Sequence, residues 1–185
     1  MPQPLVVGIV IIAALAVCLA LAAAVSIKNV PKWARMVVFR RGRTGRDLVF
    51  GPGRHLVVPI LDDPVMVDMR EQTVKLPRQT VVTSDRSAVG VEFQVRFQVV
   101  DALLSETSVT DMRGAIGSLA TAQLRAIVGR IHSADVQARK VLVGEELHVK
   151  LAEVVAGWGG RVVRVEIVNI GSPNRTALGD KPVAR

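Results

Sequence analysis

The longest apolar pattern in the chain covers residues 5–27, which carry no charge and leave no polar face over 23 residues. At about 1.5 Å of rise per residue, a helix of this length spans roughly 34 Å, enough to cross a hydrocarbon core of about 30 Å. The pattern therefore predicts a single transmembrane helix at residues 5–27, preceded by a short extracytoplasmic N-terminus at residues 1–4.

Two other interpretations of this run stay open. A buried core helix is disfavoured because core helices rarely remain apolar all round over such a length. A cleaved signal peptide is favoured by the small residues Ala22-Ala23-Ala24, which could form a cleavage site. Against cleavage, the first four residues carry no basic side chain. The apolar run is also longer than the apolar region of a signal peptide, which is usually about 7–15 residues. An uncleaved anchor is the preferred interpretation.

After Val30 the pattern changes to short apolar stretches separated by glycine, proline and polar residues, which is typical of strands joined by turns. Gly51-Pro52-Gly53 is the clearest turn signal, because glycine tolerates backbone angles that side chains forbid. Short strands are predicted at residues 34–41, 55–59, 65–69, 72–76 and 80–83.

The strongest strand signal lies at residues 89–99, where apolar and polar residues alternate strictly. Successive side chains of a strand point to opposite faces of the sheet, so this pattern predicts a long strand with one buried face. The polar stretch Ser84-Asp85-Arg86-Ser87 predicts the hairpin loop before it. The inward-facing residues are Val89, Val91, Phe93, Val95, Phe97 and Val99.

Beyond Asp101 the apolar period rises to about 3.6, which predicts a helix at residues 110–129. Ser133 can cap a short helix that ends near residue 142, and Gly144 opens another that ends at residue 157. Residues 161–169 alternate again and predict a last strand, while residues 171–185 hold several helix breakers and predict a flexible tail. The predicted fold class is α+β, with helices packed on one side of a mostly antiparallel sheet.

Charge is concentrated just after the apolar run. Residues 28–54 hold eight lysines and arginines and only one acid, Asp47, so they carry +7 of the formal net charge of +8. The positive-inside rule therefore places the domain in the cytosol, with an extracytoplasmic domain as the alternative. Because the rest of the chain is close to neutral and poor in aromatic residues, a nucleic-acid interface is disfavoured.

Residues 28–46 form a basic juxtamembrane segment with the first strand, and anionic lipid headgroups attract such segments by about 1 kcal/mol per basic residue. We name residues 28–46 the basic segment. The predicted headgroup contacts are Lys28, Lys32, Arg35, Arg40, Arg41, Arg43 and Arg46.

No constellation of residues predicts catalysis. His55, His132 and His148 fall on different predicted elements without the spacing of a metal site, and no phosphate-binding loop or nucleophile motif is present. The adjacent acids Asp62-Asp63 and Glu145-Glu146 do not form an acid/base dyad, because neighbouring side chains diverge. The lone Cys18 excludes an intrachain disulfide. We therefore predict no enzyme activity and no catalytic, cofactor-binding or metal-binding residues.

Several short motifs follow one another in a fixed order over residues 30–170. They are Val30-Pro31-Lys32-Trp33-Ala34-Arg35, Val37-Val38-Phe39-Arg40, Gly51-Pro52-Gly53 with Pro59, Val67-Asp68-Met69-Arg70, Val82-Thr83-Ser84-Asp85, and Trp158-Gly159 followed by Val163-Arg164-Val165-Glu166-Ile167. Together these motifs resemble the SPFH or Band 7 domain superfamily of stomatins, prohibitins and flotillins. No single motif is specific, but their common order is, and stomatin-like proteins with an N-terminal membrane segment are the most similar group.

The resemblance implies a membrane scaffold that organises microdomains or regulates partner membrane proteins, such as a protease, a channel or an NfeD-type protein, and that associates with itself. Members of the family normally continue into a long helix rich in alanine and glutamate that assembles many copies. Here Ser172-Pro173 stands where that helix would begin, so we expect assembly to be reduced. The alternative is a monomeric lipid-binding or regulatory subunit. Trp158 is expected to be a core residue because its ring buries a large apolar area.

Overall fold

The computed structural model describes residues 8, 12–17, 27–40, 48–57 and 62–171. Residues 12–17 are helical and exposed. Within the described residues, no helix combines the length and the apolar character needed to cross a membrane. Most of the predicted span at residues 5–27 lies outside the described residues, as do Arg41, Arg43, Arg46 and the predicted tail beyond Gly171.

The chain divides into two compact units, Met1–Met69 and Arg70–Arg185. The described part of the first unit holds five short antiparallel strands. These are β1 (Ile27–Val30), β2 (Ala34–Arg40), β3 (Leu48–Phe50), β4 (Gly53–Leu56) and β5 (Asp62–Asp68). β1 pairs with β4, and β2 lies between β3 and β5, so the unit contains two small sheets.

The core of the first unit follows from alternation along β2. Ala34, Met36 and Val38 share one face of that strand, and all three are buried together with Val30 and Val57. The predicted reversal at Gly51-Pro52-Gly53 is confirmed, since it joins β3 to β4 and Gly53 adopts a φ of 137°, which favours glycine.

The second unit is a three-stranded antiparallel sheet with four helices. The strands are β6 (Glu71–Val82), β7 (Ala88–Val99) and β8 (Gly160–Gly171), in the order β6-β7-β8. The helices are α1 (Ala102–Ser108), α2 (Met112–Val128), α3 (Ser133–Val136) and α4 (Lys140–Gly157). The predicted α+β class is confirmed, although the strands are divided among three sheets rather than collected in one.

The two faces of this sheet differ as the alternation in β7 predicted. Phe93, Val95 and Phe97 are buried on the face that also receives the buried residues of α2 and α4. The other face carries charged pairs, with Arg96 of β7 lying 3.6 Å from Glu71 of β6 and 3.8 Å from Glu166 of β8. Apolar contact on one face therefore holds the unit together, and the other face is polar.

Four predicted boundaries are wrong. The short helix predicted to end near residue 142 ends at Val136. Residues 72–76 and 80–83 belong to one strand, β6, which continues past Pro77 because its register against β7 shifts between Leu76 and Gln79. The strand predicted at 55–59 ends at Leu56. α4 begins at Lys140 rather than at Gly144. Gly144 lies inside the helix, where a Cβ would be 3.7 Å from the backbone carbonyl oxygen of Val165 in β8.

Two side chains act differently from their predicted roles. Ser133 does not cap a helix, since its hydroxyl donates to Asp85 across the fold. Trp158 is only partly buried at the end of α4, so it is not a full core residue. The short helix α1 was missed, although Asp101 signals it by accepting a hydrogen bond from the Leu104 amide at 3.0 Å.

Candidate functional site

The basic segment presents its described cations to solvent. Lys28 on β1, Lys32 in the following turn and Arg35 on β2 are exposed. Arg40 ends β2, and the other three predicted headgroup contacts lie outside the described residues. The sequence from Lys28 to Arg46 contains no acid, so these exposed cations give the segment a net positive charge. The segment can therefore attract anions.

The pairing of β1 with β4 adds residues that the predicted site lacked. Arg54 is exposed and lies opposite Asn29, so strand pairing brings a fourth cation next to the basic segment, on the face opposite to that of Lys28. Leu56 lies opposite Ile27, where β1 follows the predicted span, and is 71% exposed. The sequence shows the charge of Arg54 but not its neighbours, because the register of two strands separated by more than 20 residues does not follow from the sequence.

Trp33 is a further exposed apolar residue of this region. It lies in the turn between β1 and β2, next to Lys32, and is 46% exposed. Tryptophan beside basic residues is typical of membrane interfaces, where the ring sits at the level of the headgroups. The sequence already contained this signal as the adjacent pair Lys32-Trp33.

In the second unit, a groove of about 700 Å³ lies between α4 and the outer edge of β8. We name it the α4–β8 groove. Its floor is partly apolar and its rim carries both signs of charge. The lining residues are Lys140, Val141, Gly144, Glu145, His148, Val149, Val163, Arg164, Val165, Glu166 and Ile167.

Side chains of α4 bind the backbone of β8 along this groove. Lys140 Nζ donates to the carbonyl of Val168 at 3.1 Å, and His148 Nε2 donates to the carbonyl of Val162 at 3.3 Å. These contacts satisfy two carbonyl groups of β8, which would otherwise offer pairing groups to another strand. Helix α4 therefore partly closes this edge while leaving apolar side chains in contact with solvent.

Charge in the groove is ordered around Glu166. A hydrogen bond from the Gln94 amide at 2.7 Å is the main reason that the pKa of Glu166 lies below its usual range, with Arg164 and Arg96 adding to the effect. Arg164 Nε lies 3.0 Å from the carboxylate. Glu166 thus stays ionised at neutral pH, and the groove keeps both an anion and cations at its rim.

The loop between β6 and β7 holds the densest cluster of hydrogen bonds. The Asp85 carboxylate accepts from the hydroxyls of Thr83 and Ser87, and from the hydroxyl and amide of Ser133 at 2.5 and 3.3 Å. The Ser133 hydroxyl, followed by that of Thr83, holds the pKa of Asp85 well below its usual range. The predicted hairpin loop is confirmed, and Asp85 fastens it to the start of α3.

The hydrogen bonds of this cluster differ from those of a Ser-His-Asp triad. Ser84 Oγ lies 3.2 Å from His132 Nδ1, but the nearby Asp85 binds Ser133 and Thr83 instead of orienting the imidazole. A nucleophilic triad needs a carboxylate on the second ring nitrogen of its histidine. Within the described residues, no three side chains among His, Cys, Asp and Glu come together as a metal site.

Comparison with known proteins agrees with this geometry. The model of the SPFH domain / Band 7 family matches residues 28–180. A stomatin homologue of Pyrococcus horikoshii is 31% identical over 148 residues, which cover 80% of this chain and 55% of that protein. Stomatin-like protein 3 of Homo sapiens is 32% identical over 147 residues, 80% of this chain and 50% of that protein.

An uncharacterised protein of Archaeoglobus fulgidus is 35% identical over 152 residues, which cover 80% of this chain and 59% of that protein. The chain thus spans between half and three fifths of the length of these three relatives. The family match covers both units described above and the order of motifs from Val30 onward. The chain belongs to the SPFH domain / Band 7 family, within which its relatives include stomatins.

Proposed function

We propose that this protein is a membrane-anchored, stomatin-like scaffold that organises membrane regions or regulates partner membrane proteins. Its residues 5–27 anchor it, and its basic segment holds the first unit against the anionic leaflet. Relatives named as a stomatin homologue and a stomatin-like protein support this role. The favoured orientation places the domain in the cytosol.

The observation that carries the proposal is the surface that follows the apolar run. Exposed apolar side chains, among them Leu56 and Trp33, lie in the first 30 residues after the predicted span. They accompany the exposed cations Lys28, Lys32, Arg35 and Arg54. Basic residues near a membrane surface contribute about 1 kcal/mol each, and interfacial tryptophan adds apolar contact. This combination suits a strand region that lies on lipid.

Vesicle binding of residues 28–185 tests the headgroup contacts. Replacing Arg40, Arg41, Arg43 and Arg46 with Gln removes four charges from the basic segment and should weaken binding to vesicles containing phosphatidylserine by at least tenfold, since each charge contributes about 1 kcal/mol. The matched control removes four exposed cations of the second unit. It carries Arg130→Gln, Arg139→Gln, Lys150→Gln and Arg161→Gln.

The two variants have the same net charge, so a difference between them reports the position of the charges. Equal weakening by both would mean that vesicles respond to total charge alone, and the headgroup proposal would fail. Circular dichroism of both variants checks that each is folded.

Extraction of the full chain from membranes tests the anchor. A spanning helix should resist alkaline carbonate, which releases proteins held by charge. Orientation is tested with Lys181→Cys in a Cys18→Ser background, labelled in intact cells by an impermeant reagent. Labelling only after permeabilisation agrees with a cytosolic domain, and rapid labelling before it reverses the orientation.

We further propose that the α4–β8 groove contacts a second copy of the chain. A twofold interface joins the same patch on both copies, so the patch must complement itself. The groove does so because it offers Lys140 and Arg164 together with Glu145 and Glu166 around an apolar centre. A protease or an NfeD-type membrane protein is the alternative occupant.

The size of the full chain in mild detergent separates the scaffold from a monomeric lipid-binding or regulatory subunit. A scaffold should elute as several copies, whereas a species of one chain at all concentrations would favour the monomer. Both outcomes leave the anchor and headgroup tests unaffected.

A further inference from the structure

A second groove lies between α2 and strand β6, at the opposite edge of the sheet from the α4–β8 groove. It has a volume of about 560 Å³ and is open to solvent. We name it the α2–β6 groove. Strand β6 contributes Val74, Lys75 and Leu76. Helix α2 contributes Arg113, Gly114, Gly117, Ser118, Thr121, Ala122 and Arg125.

Small residues on α2 leave this groove unfilled. Gly117 faces β6 so closely that an added Cβ would lie 3.6 Å from a methyl group of Leu76 and 3.9 Å from one of Val74. The helix therefore touches the strand at Gly117, while Ser118 and Ala122 stand exposed beside the contact. No strand of the described residues pairs with the outer edge of β6 in this sheet.

The charge of the groove is of one sign. Lys75, Arg113 and Arg125 line it and are exposed, and none of the described lining residues is acidic. Asp111 lies at the rim of the groove, with a carboxylate oxygen beside Gly114. Its single negative charge offsets one of the three cations. Arg113 Nε donates to Gln72 Oε1 at 2.9 Å, which holds this guanidinium at one end of the groove.

The spacing of the cations selects a long ligand. Arg113 and Arg125 lie twelve residues apart on α2, which corresponds to about 18 Å along the helix axis. One phosphate cannot bridge that distance. An extended peptide rises about 3.3 Å per residue, so five or six residues span it. Acidic side chains at both ends of such a segment would reach both arginines.

The protein's own termini do not fit this chemistry. The sequence after Gly171 contains Arg175, Lys181 and Arg185 but one acid, Asp180, and the basic segment contains no acid. Like charges would repel both from the groove. Neither of these two segments therefore supplies the occupant.

We propose that the α2–β6 groove binds an extended acidic segment of a partner protein, five to six residues long. The segment lies along α2 beside the outer edge of β6. Its carboxylates pair with Arg113 and Arg125, and its small side chains pack over Gly117 and Ser118. Peptides commonly bind beside an exposed sheet edge in this way, because the edge supplies backbone groups and the pockets supply specificity.

Fluorescence anisotropy with two capped, labelled six-residue peptides tests the proposal. One peptide alternates glutamate and valine, and the other replaces each glutamate with glutamine. The full chain is kept in a zwitterionic detergent and carries Arg40→Gln, Arg41→Gln, Arg43→Gln and Arg46→Gln in every sample, so that the basic segment does not compete for the peptide.

The glutamate peptide should bind at least tenfold more tightly than the glutamine peptide. Arg113→Gln with Arg125→Gln should weaken binding about tenfold, because each exposed charge pair contributes up to about 1 kcal/mol. Arg130→Gln removes an exposed cation outside the groove and should change binding less than twofold. Ser118→Glu should weaken binding, and Ser118→Lys at the same exposed position should strengthen it.

The proposal is overturned if the double variant and Arg130→Gln bind the peptide equally, or if both peptides bind equally. A water-soluble lipid headgroup, glycerophosphoserine, is the competing ligand. Its displacement of the labelled glutamate peptide is compared with displacement by the same peptide without label. If both competitors act at the same concentration, the groove recognises headgroups and the partner segment is rejected.

Discussion

The two edges of one three-stranded sheet have opposite surface chemistry. At the β8 edge, Lys140 and His148 of α4 donate to strand carbonyls, and the remaining groove is apolar with both signs of charge at its rim. At the β6 edge, small residues of α2 leave an open groove lined by three cations and no described acid. The same strand, β7, supports both.

This difference teaches how one small unit can bind two kinds of partner. A patch with both signs of charge can complement itself, which suits contact between copies, whereas a patch of one sign repels its own copy and needs an acidic partner. The charge of each edge thus decides its occupant more strongly than its size, because the two grooves have similar volumes of about 700 and 560 Å³.

The largest effect should come from removing the support that both edges share. Phe93→Ala deletes a buried ring from β7 and should lower the free energy of unfolding by about 3–5 kcal/mol, through lost apolar burial and a residual cavity. Urea unfolding measures the loss. Val100→Ala, at an exposed position just after β7, is the control and should have little effect. If Phe93→Ala weakened self-association or peptide binding alone and left the other unchanged, β7 would not be a support shared by both edges.

The next largest effect should separate the edges. Val141 and Val149 lie in the α4–β8 groove and are 70% and 66% exposed. Val141→Glu with Val149→Glu should weaken self-association at least a hundredfold, because a twofold interface would bury four unpaired carboxylates. Sedimentation in mild detergent measures the change. Peptide binding at the α2–β6 groove should stay within twofold.

Leu142→Glu is the matched control for this change. Leu142 lies on the same helix and is 62% exposed, but it does not line the α4–β8 groove. A comparable loss of self-association in Leu142→Glu would place the contact elsewhere on α4, and the proposed interface would then be wrong.

A smaller effect is expected from the turn that joins α4 to β8. Gly159 has a φ of 73°, and an added Cβ would lie 2.7 Å from the carbonyl oxygen of Asp101. Gly159→Ala should therefore lower the free energy of unfolding by about 1–3 kcal/mol. Gly157→Ala, two residues earlier with open space around its Cβ position, is the control and should have no such effect.

Much of the second unit could be predicted because its signals are local. The alternation in β7 gave its buried face, and the period of 3.6 residues gave α2 within a few residues of its observed bounds. Boundaries failed where tertiary contact decided them. The residues around Gly144 remain helical because α4 packs on β8, and β6 continues past Pro77 because a register shift accommodates it.

The candidate sites were less predictable, because they depend on which distant residues meet. Charge counting found the basic segment, but only strand pairing placed Arg54 beside it. Neither groove can be recognised as a motif in the sequence. Each is lined by a helix and a strand that are separated along the chain, and the residues of the two elements recur with different periods. The resemblance to stomatins implied a scaffold without indicating which surfaces would serve it.

The smallest effect should come from Asp85, which fastens the β6–β7 loop to the segment that leads into α4. Its pKa is depressed when folded, so its contribution to stability is present above its unfolded pKa of about 3.9 and is lost as pH falls further below that value. Asp85→Asn should therefore lower the urea midpoint at pH 7 and have less effect at pH 3, with a modest change because the group is exposed to solvent. The substitution should matter less in a Ser133→Ala background, where its main hydrogen-bond donor is already absent. A midpoint difference that is the same at both pH values would show that the ionised carboxylate of Asp85 does not stabilise the contact between the β6–β7 loop and the start of α3.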